Sequence, residues 1–271
     1  MYQKSIPMKA THSTISLLII TRNCADVLED TLKSVADIVN EIIVIDDYSR
    51  DNTVEIATRY GAHIYPHHEF DLGKQRKYAL SKATTEWILT LDSDERLSKG
   101  LQQEIKQVIA DNNTDINGYY IPFLNHFLGK PIRHGGENYQ MLRLFRRTAA
   151  SIDSALVHER YAIKDNKTAY LKHAIEHYSY RSIPQLFVKF TGYAVREAFQ
   201  KRNEKITLAK LFLYGPHMFY ARFIQDKGYK DGLFRIPLDL AFAYMEGLTY
   251  WIVLVLKTGL AGSRINHETS S

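Results

Sequence analysis

Trp87-Ile-Leu-Thr-Leu-Asp-Ser-Asp-Glu-Arg96 joins a run of β-forming apolar residues to two carboxylates separated by one small residue. Residues 87–91 have the length and composition of a buried central strand. Asp92 and Asp94 then stand at its carboxyl end. In an open α/β sheet ligands bind in the crevice outside the carboxyl ends of the strands, and paired hard oxygen donors there suit a divalent cation and the phosphates that accompany it. Asp and Ser also close turns and cap helices, so the flanking sequence has to decide.

Upstream, residues 15–21 read as a strand followed by Arg22-Asn23, and Val27, Leu28, Leu32 and Val35 then recur at helical spacing. Residues 41–45 form a second strand ending in Asp46-Asp47-Tyr48-Ser49, before a helical stretch at 53–60. A short strand at 63–65 and a helix at 72–83 lead back to 87–91, and another amphipathic helix follows at 99–109. This alternation predicts an α/β fold of right-handed βαβ units around a mainly parallel sheet. Polar loops follow three of these strands: Thr21-Arg22-Asn23, Asp46-Asp47 and Asp92-Ser93-Asp94. The glycine fingerprint of a dinucleotide-binding Rossmann domain and the Gly-Lys-Ser/Thr of a P-loop are both missing where they would have to be. A nucleotide must therefore be held another way. Asp47 can accept hydrogen bonds from a base or ribose while Asp94 holds a metal on the diphosphate.

Ser16-Leu-Leu-Ile-Ile-Thr-Arg-Asn23, Ile43-Val-Ile-Asp-Asp-Tyr-Ser49 with Asp51 and Thr53, Gly73-Lys-Gln-Arg-Lys-Tyr-Ala-Leu80 and Leu91-Asp-Ser-Asp-Glu95 follow one another in an order and spacing that resembles the inverting glycosyltransferases of family 2. The resemblance implies a GT-A fold and a nucleotide-sugar donor bound with Mg2+ or Mn2+. By motif matching it places Thr21, Asn23 and Asp47 at the nucleoside, Arg76 near the diphosphate, and Asp92 and Asp94 in the acidic metal motif.

In the second half, residues 118–123 read as a strand, 125–133 as a hairpin around Gly129-Lys130, and 141–147 as another strand. Inverting transfer needs a carboxylate to take the proton of the acceptor hydroxyl. Family members commonly carry an acidic pair shortly before an Arg-Leu segment, and here Glu137 is followed by Asn138. Glu137 is the first candidate for the base, with Glu159 in Leu156-Val-His-Glu-Arg160 as its rival. His158 is a candidate to complete a manganese shell, or a histidine simply hydrogen-bonded in a sheet. Arg143 is placed either on the diphosphate or on a solvated face. A narrower likeness runs through Gly135-Gly136, Arg143-Leu-Phe-Arg-Arg147, Val157-His-Glu159, His177-Tyr-Ser-Tyr-Arg181 and Gly228-Tyr-Lys-Asp-Gly232. These resemble the family 2 enzymes that add a hexose, often glucose, to the heptose of lipopolysaccharide inner core. The implied acceptor is a membrane-held glycolipid. Another acceptor, or a nucleotide-sugar-binding protein without catalysis, stays open as an alternative.

At 271 residues with 45% hydrophobic and 24% charged side chains, the chain fits one catalytic domain with a smaller appendage, divided here as 1–165 and 166–271. A net charge of +5 favours anionic membranes or substrates without demanding nucleic acid, and no nucleic-acid-binding motif is present. The single Cys24 excludes an intrachain disulfide and agrees with a reducing compartment. Residues 1–13 lack the long apolar segment of a secretory signal, and no run reaches the about 18 unbroken apolar residues of a spanning helix. Residues 183–199 and 208–223 read as amphipathic helices mixing aromatics with Lys and Arg, and 238–256 as the most apolar helix. The expectation is a cytoplasmic protein held peripherally on the inner face of the membrane, or one whose apolar helices pack on the catalytic domain or on a second copy.

Overall fold

The computed structural model describes residues 13–69, 71–152 and 161–258. Its contacts divide the chain into two compact units. One extends to Phe123 and resumes over Tyr139–His177; the other comprises Leu124–Asn138 and continues from Tyr178. A single cut at 165 does not describe this division, because the chain leaves the first unit at 123 and again at 177.

The first unit begins β1 (Ile15–Thr21), α1 (Leu28–Val35), β2 (Glu41–Asp46), α2 (Thr53–Arg59), β3 (His63–Pro66), α3 (Leu72–Lys82) and β4 (Trp87–Thr90). The four strands are parallel in the order β3-β2-β1-β4. Both faces of the sheet are covered, so successive residues are buried on opposite sides and the strands read as unbroken apolar runs. Leu17, Ile19, Val44, Trp87 and Leu89 pack with Leu28 and Leu32 of α1, whereas Leu18, Ile43, Ile45 and Ile88 pack with Ala79 of α3. Each fully buried Leu or Ile contributes about 1.5–3 kcal/mol.

The chain continues with β5 (Glu95–Leu97), α4 (Lys99–Asp111), β6 (Gly118–Phe127), β7 (Lys130–Pro131), β8 (Gln140–Arg146), β9 (Ala150–Ile152), β10 (Tyr161–Ile163), β11 (Thr168–Tyr170) and β12 (Ile175–Tyr180). β8 lies antiparallel between β4 and β6, so the sheet is mixed beyond its parallel half. Asp71 caps α3 by accepting the N–H groups of Gly73 and Lys74, and Ser98 caps α4 by accepting that of Leu101. β5 pairs antiparallel with residues 175–177, which brings His177 opposite Glu95. Periodicity does not signal that pairing, because three-residue strands are too short to show alternation.

In the second unit His126 and Phe127 pair with Pro131 and Lys130. The turn is Leu128-Gly129, one residue before the predicted place, and both residues have positive φ, as the tight two-residue hairpin requires. Helix α5 (Ile183–Gln200) starts at the Ser182 cap with Pro184 in its first turn. The single helix predicted over 208–223 is instead α6 (Leu208–Phe212), α7 (Tyr214–Tyr220) and a π-type turn, Ala221–Gln225. Pro216 marks the break: it lies in the first turn of α7, where its missing N–H costs nothing. Short turns at Gly228–Asp231 and Leu233–Arg235 lead into α8 (Ile236–Thr258). Phe127, Ile132, Leu186, Phe190, Leu238 and Ala241 form the core of this unit. By length and composition, Leu233–Thr258 is long and apolar enough to cross a membrane, although acids interrupt it.

Candidate active site

Because β2, β1 and β4 are adjacent and parallel, the loops after them emerge at one end of the sheet. Thr21, Asn23 and Asp47 are brought together there. The Thr21 hydroxyl donates to Asp46 at 3.2 Å, and buried Asp46 also accepts the Ser49 N–H at 3.0 Å. The Asn23 N–H donates to the Ser49 hydroxyl at 2.9 Å, while its side-chain oxygen accepts the Arg50 N–H at 2.7 Å. Asn23 and Tyr48 both adopt φ of about +50°, the left-handed region, which asparagine enters readily and a tyrosine holds only when the surroundings impose it. Thr21, Asn23 and Asp46 thus brace one loop against the other. Asp47 lies between Arg22 at 3.0 Å and His68 at 2.6 Å, with one carboxylate oxygen on each.

The loop after β4 is fixed by the Thr31 hydroxyl, which donates to the Ser93 carbonyl at 2.7 Å. Asp92 is about half exposed (52%) and stands 3.3 Å from Arg143; Asp94 stands 3.5 Å from His177. Behind them Glu95 is fully buried, meets the Arg143 guanidinium at 2.6 Å and accepts the Asp92 N–H at 2.9 Å. Desolvation would raise the Asp92 carboxyl, but the guanidinium groups of Arg143 and Arg76 outweigh it and hold it at about 2. Burial pushes Glu95 well above the ordinary carboxylate range; Arg143 opposes this, and Asp92 and Asp94 add to it. Asp92 is therefore the exposed anion of the group and Glu95 the buried brace. Arg143, predicted on the diphosphate or on a solvated face, is a buried partner of Glu95 whose guanidinium also lies 5.2 Å from the Phe123 ring centroid.

Arg76 sits 5.9 Å from the Tyr161 ring centroid, and the two line a cleft of about 470 Å3 with Tyr120, Tyr139 and Arg143. Burial raises the Tyr161 phenol to about 12, so it is a neutral hydrogen-bonding group at physiological pH. A cleft with two guanidinium groups and three tyrosines suits an anionic group attached to a sugar, since guanidinium binds phosphate oxygens and aromatic faces cover pyranose rings.

Among the described residues, no three His, Cys, Asp or Glu side chains converge to hold an ion. Asp92 and Asp94 nevertheless fit Mg2+ or Mn2+, which bind through one or two carboxylates and take remaining ligands from substrate phosphates and water. His158 and Glu159 lie outside the described residues.

Glu137 belongs to the second unit and is bound on both oxygens: Asn125 donates to one at 2.8 Å and Arg222 to the other. Arg222 also pairs with Asp239 at 3.2 Å, and Asp239 with Arg235 at 2.8 Å. Arg235, fully buried, donates to the carbonyls of His134 and Gly135 and pairs with Asp231 at 3.1 Å. Glu137 therefore anchors the glycine-rich loop within a buried charge network, which is a poor setting for an acceptor-facing base. Sequence reading missed this network and also Glu95, His177 and Tyr161. The acid directly after Asp92-Ser93-Asp94 was the available sign of Glu95; the others become visible only through pairings distant in sequence.

Residues 16–153 match the family model described as Glycosyl transferase family 2. An uncharacterized glycosyltransferase of Rickettsia felis is 32% identical over 246 residues, covering 86% of this chain and 87% of its own length. Another from Rickettsia conorii is 29% identical over 252 residues, covering 89% of each. Among solved structures, S. aureus TarS 1-349 is 16% identical, with 92% of each chain covered and a TM-score of 0.45. With its loops at the carboxyl ends of three parallel strands and a family match across half its length, this chain belongs to glycosyl transferase family 2.

Proposed function

We propose that the chain is a metal-dependent, inverting hexosyltransferase that moves glucose from UDP-glucose onto the heptose of a lipopolysaccharide core, acting on the inner face of the cytoplasmic membrane. The observation that carries this reading is the joint placement of the Thr21–Asp47 loops, the Asp92/Asp94 pair and the cleft between Arg76 and Arg143 on one unit. Asp47, with Thr21 and Asn23 holding its loop, recognises the uridine. Asp92 and Asp94 hold Mg2+ or Mn2+, which when bound neutralises charge developing on the departing UDP. Arg76 takes up the same charge from the cleft side, and Glu95 keeps Arg143 and the Asp92 backbone in place for it. Tyr120 and Tyr139 offer ring faces to the sugars. Glu137 is committed to Arg222 and Asn125, so Glu159 is the proposed base that accepts the proton of the attacking heptose hydroxyl. As the C–O bond to UDP breaks, the new glycosidic bond forms on the opposite face and the anomeric configuration inverts.

The test is UDP release from a panel of UDP-sugars, with Mn2+ and with purified core glycolipids carrying or lacking the acceptor heptose. Release confined to UDP-glucose with the heptose-bearing acceptor, and a β-linked product from the α-linked donor, is expected. Turnover with a different acceptor would overturn the lipopolysaccharide assignment. Donor binding without turnover on any acceptor would favour the non-catalytic alternative.

A further inference from the structure

The second unit has an apolar groove of about 680 Å3 between α7 and α8, lined by Leu211, Pro216, Phe219, Leu240, Tyr244 and Trp251 among others. It opens where the two helices approach closely: a Cβ on Gly215 would meet the Ala243 carbonyl at 2.9 Å, and Gly247 faces Gly215 across the crossing. The neighbouring surface is also apolar and exposed, with Leu208 at 75%, Leu213 at 62% and Trp251 at 42%. A patch of this kind on a folded protein marks a binding surface rather than chance exposure.

Charge identifies the occupant. From 178 to 258 the chain has twelve Lys and Arg against six Asp and Glu, an excess larger than the +5 of the entire chain. Arg202, Lys205 and Lys257 are exposed on the segment before α6 and on the last turn of α8, and Lys201 and Lys210, paired with Glu197 and Glu204, lie over the Tyr250 ring at the same end of α8. Apolar side chains beside Trp, Tyr and a cluster of cations match the interfacial layer of an anionic bilayer, where hydrocarbon, ring dipoles and headgroup phosphates are met in turn. A second copy of the chain is the competing occupant, and the experiment below separates the two.

We propose that the α7–α8 groove and its cationic rim form a docking site for an anionic phospholipid bilayer, with acyl chains entering the groove beside Trp251. This extends the membrane-facing part of the proposed function and makes the helical unit the device that holds the enzyme at its acceptor.

The chain has two tryptophans, and Trp87 is fully buried in the first unit, so Trp251 is the accessible reporter. The experiment mixes the full chain, without donor or acceptor, with phosphatidylcholine vesicles containing or lacking phosphatidylglycerol, their acyl chains brominated. Strong quenching of Trp251 emission only with phosphatidylglycerol is expected. Lys205→Gln and Lys257→Gln should each weaken partitioning by about fivefold, and Leu240→Ser should lower quenching while donor calorimetry remains as in the native chain. Absence of quenching, or equal quenching by vesicles lacking the anionic lipid, overturns the proposal. So does a vesicle-insensitive Trp251 in a chain that light scattering shows to be dimeric, which would assign the groove to a second copy. Because the vesicles carry no sugar acceptor, failure of the transferase reading leaves this result unaffected.

Discussion

Replacing Glu137 by Gln keeps the side-chain shape and removes its charge, which separates an anchoring role from a catalytic one. In the native network one Glu137 oxygen accepts from Arg222 and the other from Asn125 at 2.8 Å, in a side chain only 5% exposed. In the variant an amide NH2 faces one of those donors, and the Arg222 guanidinium loses one of its two anionic partners. Breaking a buried ion pair costs about 3–5 kcal/mol when the remaining charge has no other partner. Arg222 keeps Asp239 at 3.2 Å and its stacking on Phe242, so the lower end of that range, about 3 kcal/mol, applies. At about 2–4 °C per kcal/mol for a chain of this size, the melting temperature should fall by about 6–12 °C. Circular dichroism melting and steady-state UDP release on the same preparation measure both quantities. The large thermal shift is expected with less than about a tenfold fall in kcat at a temperature where the variant is folded. A loss of about 100-fold or more, the usual cost of removing a general base, with an unchanged melting temperature would refute the anchoring role and restore Glu137 as the base.

Leu144 is fully buried in β8 between two neighbouring strands, so Leu144→Ala should cost about 2–5 kcal/mol in urea unfolding; a loss below about 1 kcal/mol would mean the site collapses around the smaller side chain. Gly135 has φ +72° and a Cβ there would run into the Arg235 guanidinium, whereas Gly129 at φ +76° faces open space. Gly135→Ala should therefore lower the melting temperature well beyond Gly129→Ala, whose cost is about 1 kcal/mol of backbone strain. Burial would raise the Asp231 carboxyl, but the His134 side chain and the backbone N–H groups of His134 and Arg133 outweigh it and lower its pKa. A depressed folded-state pKa gives stability that is present above the ordinary carboxylate value and is lost as pH falls through the folded value. Asp231→Asn should thus be less stable than the native chain at pH 6, with the difference shrinking as unfolding is repeated toward pH 3.

The parallel half of the fold was legible because each of its elements carries a local signal: unbroken apolar runs for strands buried on both faces, 3.6-residue spacing for α1 and α4, and acids where strands end. The same logic located the loops of Thr21, Asp47 and Asp92. It stopped where geometry depends on distant partners. Three-residue β5 has no periodicity, so the pairing that brings His177 toward Asp94 was not visible, and neither was Arg143 turning inward to Glu95. The charge network around Arg235 unites residues 134, 135, 231 and 239. In the sequence its members look like ordinary surface charges. Pro216 lies in the first turn of α7, where its missing N–H costs nothing and separates α7 from α6.

The most direct measurement is isothermal titration calorimetry of UDP-glucose into the native chain and into Asp94→Ala, each with Mn2+ and with the cation chelated. Saturable uptake that requires Mn2+ in the native chain, weakened at least tenfold in Asp94→Ala while both proteins melt alike, is the predicted result. Donor uptake that ignores both the cation and the substitution would contradict the assignment of Asp92 and Asp94 as the ion's ligands.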